Sequence, residues 1–126
     1  MRLKNFNVDY GSKVFRSFSD ISRIRIMNIL YNRKESCIAD LELILNFTQT
    51  KTSRHVNYLK NANLLNMKYV NQFIFYSIKE EALDLIDQIF KLLEKDKQLE
   101  KDLEIYDIMN SNRELSKNKI EILKNK

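Results

Sequence analysis

This chain of 126 residues has one glycine, Gly11, and no proline. Turn-rich all-β folds draw on both residues for tight connections, so the sequence points away from them and toward long helices. With 44% apolar and 31% charged residues it can bury one modest core and still face water, which fits a single domain over 1–126. No apolar run approaches the roughly 20 residues that span a bilayer, so no membrane partner is expected. The first ten residues, MRLKNFNVDY, lack the apolar centre of an export signal. One cysteine excludes an intrachain disulfide, and a reducing cytoplasm is the expected compartment.

The apolar spacing gives the order of elements. Residues 9–17 read as a short helix with Val14, Phe15 and Phe18 to one side. Asp20 is placed to cap a second helix, whose Ile21, Ile24, Ile26, Met27, Ile29 and Leu30 form a wide buried face. Polar residues 32–35 break that pattern. Ser36 is placed to cap a third helix with Ile38, Leu41, Ile44 and Leu45 at helical spacing, and Asn46 and Phe47 make a turn. A fourth helix is expected over about 49–61. Asn63 suits a left-handed helix end, where asparagine substitutes for glycine. Residues 65–70 and 73–78 are β-rich around Asn71 and Gln72, a hairpin signal. From Lys79 a long helical region runs to the end, with Ala82, Ile86, Ile89, Phe90 and Leu93 on a stripe that continues through Leu99, Leu103 and Tyr106. Ser111-x-x-Glu114 has the form of a capping box; it either restarts a helix or lies inside the long one. The expected fold is mostly α with a β-hairpin: a winged helix-turn-helix with extra helices at both ends.

The fourth helix carries the chemistry. Thr48 can accept a backbone N–H as its N-cap. Thr52, Val56 and Leu59 fall on one face, and Thr50, Arg54 and Asn57 lie roughly opposite. An amide, a hydroxyl and a guanidinium are the groups that read base edges and phosphates. Residues 46–78 contain four basic side chains, Lys51, Arg54, Lys60 and Lys68, and no acid, whereas residues 79–108 hold ten acids and five bases. Freedom from negative charge is what a polyanionic partner requires, so double-stranded DNA is the expected partner and 79–108 is unsuited to touch it. The candidate DNA-facing residues are Thr48, Gln49, Thr50, Lys51, Ser53, Arg54, His55 and Asn57, with Lys68, Asn71 and Gln72 on the wing. His55 lies about 60° from the apolar face on a helix of 100° per residue, so burial and phosphate contact both remain open. Tyr69, Phe73, Phe75 and Tyr76 are expected to pack the hairpin onto the helices, with one exposed on the wing. Asp84, Asp87, Asp96 and Asp102 read as the solvated face of a long helix, interleaved with lysines.

At this point the chain resembles the ArsR–SmtB family of winged-helix repressors. FRSFSDISRIRIMNIL (residues 15–30) is similar to the family's opening signature, a phenylalanine and a Ser-Asp pair before an Arg-x-Arg-Ile helix. TQTKTSRHVNYLKNANLL (48–65) is similar to its recognition helix and exit, and FIFYSI (73–78) to its second wing strand. Ile21 stands where proline is common, and Asn63 and Asn71 where glycine is usual. The resemblance implies a homodimeric repressor at a palindromic operator. Gln49, Thr50, Ser53, Arg54 and His55 would face DNA, and the terminal helices would form the dimer interface. An independent expectation of dimerisation comes from Val14, Phe15, Phe18 and the stripe over 86–106, more apolar surface than a monomer should expose.

Metal sensing in many members uses a Cys-x-Cys pair at the start of the third helix, and in others His and carboxylate ligands on the last. Here Cys37 stands with Ala39 in the partner position, and the sole histidine is His55. Zinc and soft-metal sites need three or four converging ligands, so no metal and no cofactor is expected. Cys37 reads as a small buried side chain, with a redox-responsive repressor as the alternative. No Gly-rich phosphate loop and no nucleophile–base set is present, so the chain is not expected to be an enzyme. A winged-helix protein-interaction module with a vestigial DNA face is the remaining alternative.

Overall fold

The computed structural model describes residues 6–124, with side chains described through residue 120. The helices are α1 (Val8–Ser17), α2 (Ile21–Arg33), α3 (Ile38–Leu45), α4 (Gln49–Asn61), α5 (Leu83–Leu92), α6 (Lys97–Ser111) and α7 (Ser116–Lys124). Three strands, β1 (Glu35–Cys37), β2 (Leu65–Val70) and β3 (Phe73–Ile78), form one antiparallel sheet in the order β1-β3-β2. This is a winged helix-turn-helix with helical additions at both ends.

With Gly11 inside α1, asparagine supplies three of the left-handed turns. Asn46, Asn63 and Asn71 take φ of 57°, 63° and 55°, which their short polar side chains tolerate better than most. Asn46 ends α3, and Thr48 then caps α4 by accepting the Lys51 N–H at 3.1 Å. Asn63 ends the exit from α4 and is tied to α1 by the Tyr10 hydroxyl, which donates to its carbonyl at 3.0 Å. Asn71 turns the hairpin, in which Val70 pairs with Phe73 and Leu65 with Ile78.

The core gathers around α2. Ile26, Met27, Ile29 and Leu30 are fully buried against Leu41 and Ile44 of α3, Val56 and Leu59 of α4, and Ile86 of α5. The arginines of the Arg-x-Arg signature fasten this helix to its neighbours. Arg23 donates to the carbonyls of Ser17 and Arg16 at 3.1 and 3.0 Å, satisfying the end of α1, and its guanidinium lies 3.9 Å from the centre of the Tyr58 ring. Arg25 grips Asp102 of α6 through two bonds of 2.8 and 3.0 Å.

The structure corrects the C-terminal half. The helical stripe does not belong to one long helix: residues 93–96 break it, and Asp96 starts α6 by accepting the Leu99 N–H at 3.0 Å. The end of α6 is a second break, with Arg113 at φ 59°, so α7 is a separate helix. Ser111 is the last residue of α6 rather than a cap. In its place, Asn118 accepts the Leu115 N–H at 3.2 Å, and buried Asp40 of α3 accepts the Ser116 N–H at 2.7 Å. A carboxylate at a helix N-terminus satisfies orphan N–H groups and opposes the helix dipole. Ser36 is likewise no cap; it lies in β1, paired with Tyr76, and Cys37 takes the N-cap position of α3 without a side-chain bond.

Of the four aspartates, Asp96 is exposed and Asp84 and Asp87 are half-exposed, as a solvated face requires, and only Asp102 departs from it. Asp102 has no exposed side-chain surface and is ion-paired with Arg25, Asp96 is a cap, and Asp87 accepts bonds from Tyr31 and Lys91.

Candidate nucleic-acid interface

The helix-turn-helix is α3, the turn at Asn46 and Phe47, and α4. One face of α4 is anchored by Thr52, Val56 and Leu59, all fully buried. The Thr52 hydroxyl is satisfied there, donating to the Thr48 carbonyl at 2.8 Å. Anchoring that face turns Thr50, Arg54 and Asn57 outward, and all three are exposed. Thr48 and Gln49 are exposed at the helix start, and Ser53 is half-buried beside them, accepting from the Gln49 amide at 2.9 Å. The ammonium of Lys51 lies 4.1 Å from the Phe47 ring centre, which holds it at the N-terminal end of α4. Arg54 makes no ion pair among the described residues, so its five donors are available to a ligand.

The wing presents Lys68, Asn71 and Gln72, all exposed, with Tyr69 exposed beside them. Phe75 and Tyr76 are buried, as the packing argument expects. Lys68 is not free of acids: Glu35, brought alongside by β1, accepts from its ammonium at 3.0 Å. Linear sequence hid this, because the acid-free stretch begins eleven residues after Glu35.

His55 is corrected. Only 6% of it is exposed, so it belongs to the packed side of α4 rather than the outward row. Burial lowers its pKa, opposed by Asp20, and Arg54, Arg23 and Lys51 lower it further. Cys37 is also buried, and its thiol is pushed up to about 11, chiefly by burial, which leaves it a thiol rather than a reactive thiolate.

The apolar surface that remains differs from the sequence expectation. Val14 is fully buried and Phe18 partly so, and the stripe on α5 and α6 is largely consumed inside the protomer. What is exposed on α1 is Val8 (90%) and Phe15 (62%), and on α5 Leu83 and Leu92 (86%). These two helices are neighbours, as the Phe18 and Phe90 rings meet edge-on at 5.8 Å.

A helix presented by a helix-turn-helix, followed by a β-wing, is a DNA-binding architecture. Residues 20–67 match the model of the family described as "Bacterial regulatory protein, arsR family". The cadmium resistance transcriptional regulatory protein CadC of Listeria innocua is 30% identical over 87 residues, covering 68% of this chain and 73% of that protein. The arsenical resistance operon repressor of Bacillus subtilis is 31% identical over 70 residues, 56% of this chain and 67% of that protein. Among solved structures, a homodimeric winged helix-turn-helix DNA-binding domain from Mycobacterium bovis superposes with a TM-score of 0.62 at 16% identity, covering 71% of this chain and 83% of its own. This chain belongs to the arsR family of bacterial regulatory proteins.

Proposed function

We propose that this regulator is a homodimeric transcriptional repressor that sets α4 in the major groove of a palindromic operator. The observation that carries this is the outward row of α4, Thr50, Arg54 and Asn57, within a segment from 46 to 78 that contains no carboxylate. Arg54 is placed to read a guanine edge through its fork, with Thr48, Gln49, Thr50, Ser53 and Asn57 giving polar contacts. Lys51, and Lys68 with Asn71 and Gln72 on the wing, contact phosphates, Lys68 exchanging Glu35 for DNA. Val8, Phe15, Leu83 and Leu92 on α1 and α5 supply the dimer contact, which sets two α4 helices about 34 Å apart, one DNA turn.

The cadmium and arsenic signals named for its relatives do not carry over in this reading. One thiolate per subunit, even shared across a dimer, offers too few soft donors to outcompete cellular thiols. The protein is a metal-independent, non-enzymatic cytoplasmic regulator. Fluorescence polarisation with duplex from upstream of its own gene, alongside sedimentation, tests the reading. A dimer that binds this duplex, unaffected by stoichiometric zinc, cadmium, copper(I) or arsenite, supports it. A monomer at tens of micromolar overturns the dimer, and metal-driven release that Cys37→Ser abolishes overturns the metal-independent reading.

A further inference from the structure

We propose that the concavity between the sheet and α7 binds a small organic anion with an apolar body, such as a carboxylate, sulfonate or phosphate. The cavity holds about 330 Å³, within the range of ligand sites, roughly 300–1,000 Å³. Val70, Phe75 and Ile120 give it apolar walls, and Phe75 and Ile120 are buried in a cluster with Cys37 that is separate from the main core. Arg33, Lys34, Lys68 and Lys117 bring four cations to the same space, against one lining acid among the described residues, Glu35.

The partners of those cations show where charge is unbalanced. Asp107 accepts two bonds from Arg33, at 2.9 and 2.8 Å, and Glu35 accepts one from Lys68. Lys117 instead donates to the Tyr106 hydroxyl at 2.8 Å, and Lys34 makes no ion pair among the described residues. Two ammonium groups with no ion pair among the described residues, both lining one partly apolar concavity, repel each other, and an anion between them removes that repulsion. Lys34 also stands at φ 77° and ψ −56°, a rare backbone state for any residue with a side chain and one that clusters at ligand sites. The larger cleft on its other side, about 690 Å³, is lined by Glu35, Asp84 and Asp87 and is unsuited to an anion.

The test uses the full chain without DNA, so its failure leaves the repressor reading standing. The probes are 1-anilinonaphthalene-8-sulfonate and its uncharged relative N-phenyl-1-naphthylamine, each followed by fluorescence. The sulfonate should saturate at one molecule per protomer and bind at least about tenfold tighter than the neutral amine. Lys117→Glu and Lys34→Glu should each weaken the sulfonate about tenfold or more and leave the amine unchanged. Lys34 is exposed, so its variant keeps the test valid if Lys117→Glu fails to fold. Absence of saturable sulfonate binding, equal affinity for the two probes, or sulfonate affinity unchanged in Lys34→Glu overturns the proposal.

Discussion

Asp102→Ala should be among the most damaging single substitutions outside the apolar core. The Asp102 carboxylate is wholly buried and accepts from Arg25 Nε and Nη2 at 2.8 and 3.0 Å and from Gln98 Nε2 at 2.9 Å. Removing it strands the Arg25 guanidinium in the α2–α6 interface. Breaking a buried pair in this way costs about 3–5 kcal/mol. The Arg25 side chain keeps 19% of its surface in water and has the Phe47 ring 5.0 Å away, which places the cost near the low end. About 3 kcal/mol is a large share of a total near 5–15 kcal/mol, and at ~4 °C per kcal/mol it lowers Tm by about 12 °C. Urea unfolding followed by circular dichroism measures the loss. The paired change Arg25→Met with Asp102→Leu should recover most of it, since an apolar pair of similar volume leaves no buried charge. A loss below about 1 kcal/mol for Asp102→Ala, or a double variant as unstable as the summed singles, would refute this account of how α6 is held.

Three further outcomes follow from local chemistry. Lys34→Gly should raise stability by about 1 kcal/mol in the same urea assay, because glycine relieves the φ of 77° at a smaller entropic cost; a loss instead would show that the turn is unstrained. Cys37, with its thiol near 11, is only about one-thousandth thiolate at pH 8 and should react with Ellman's reagent no faster than the protein unfolds; rapid labelling of the native protein would reopen a redox role. The lowered pKa of His55 means that the unfolded chain takes up a proton near its ordinary value of about 6.5 while the folded one still refuses it. Stability should therefore fall as pH drops through about 6.5 and level off below the folded pKa, with the slope reduced in His55→Gln; an unchanged slope would place His55 in a solvated setting.

Much of the fold was legible because period and turn chemistry agreed. The bounds of α4, β2 and β3 follow from the change from a 3.6-residue to a 2-residue repeat, punctuated at Asn63 and Asn71. Long-range pairing was not legible. Asp102 reads as one more charge among lysines until Arg25, 77 positions earlier, is brought against it. The break at residues 93–96 left the apolar stripe intact, because α5 and α6 face the same core. The three residues of β1 are too few for a pattern, and with them went Glu35 beside Lys68. His55 was undecidable by angle alone; packing on Asp20's side of the domain settled its burial.

The central claim is that the outward row of α4 reads sequence, and Arg54→Ala tests it most directly. Polarisation titrations at fixed salt should compare the upstream duplex with a scrambled duplex, for wild type and variant. The wild type should prefer the upstream duplex by about a thousandfold or more. Arg54→Ala should lose about 1–3 kcal/mol on that duplex while binding the scrambled one nearly as before, which narrows the preference. Equal affinity of the wild type for both duplexes, or an Arg54→Ala variant with affinity and preference unchanged, would contradict it.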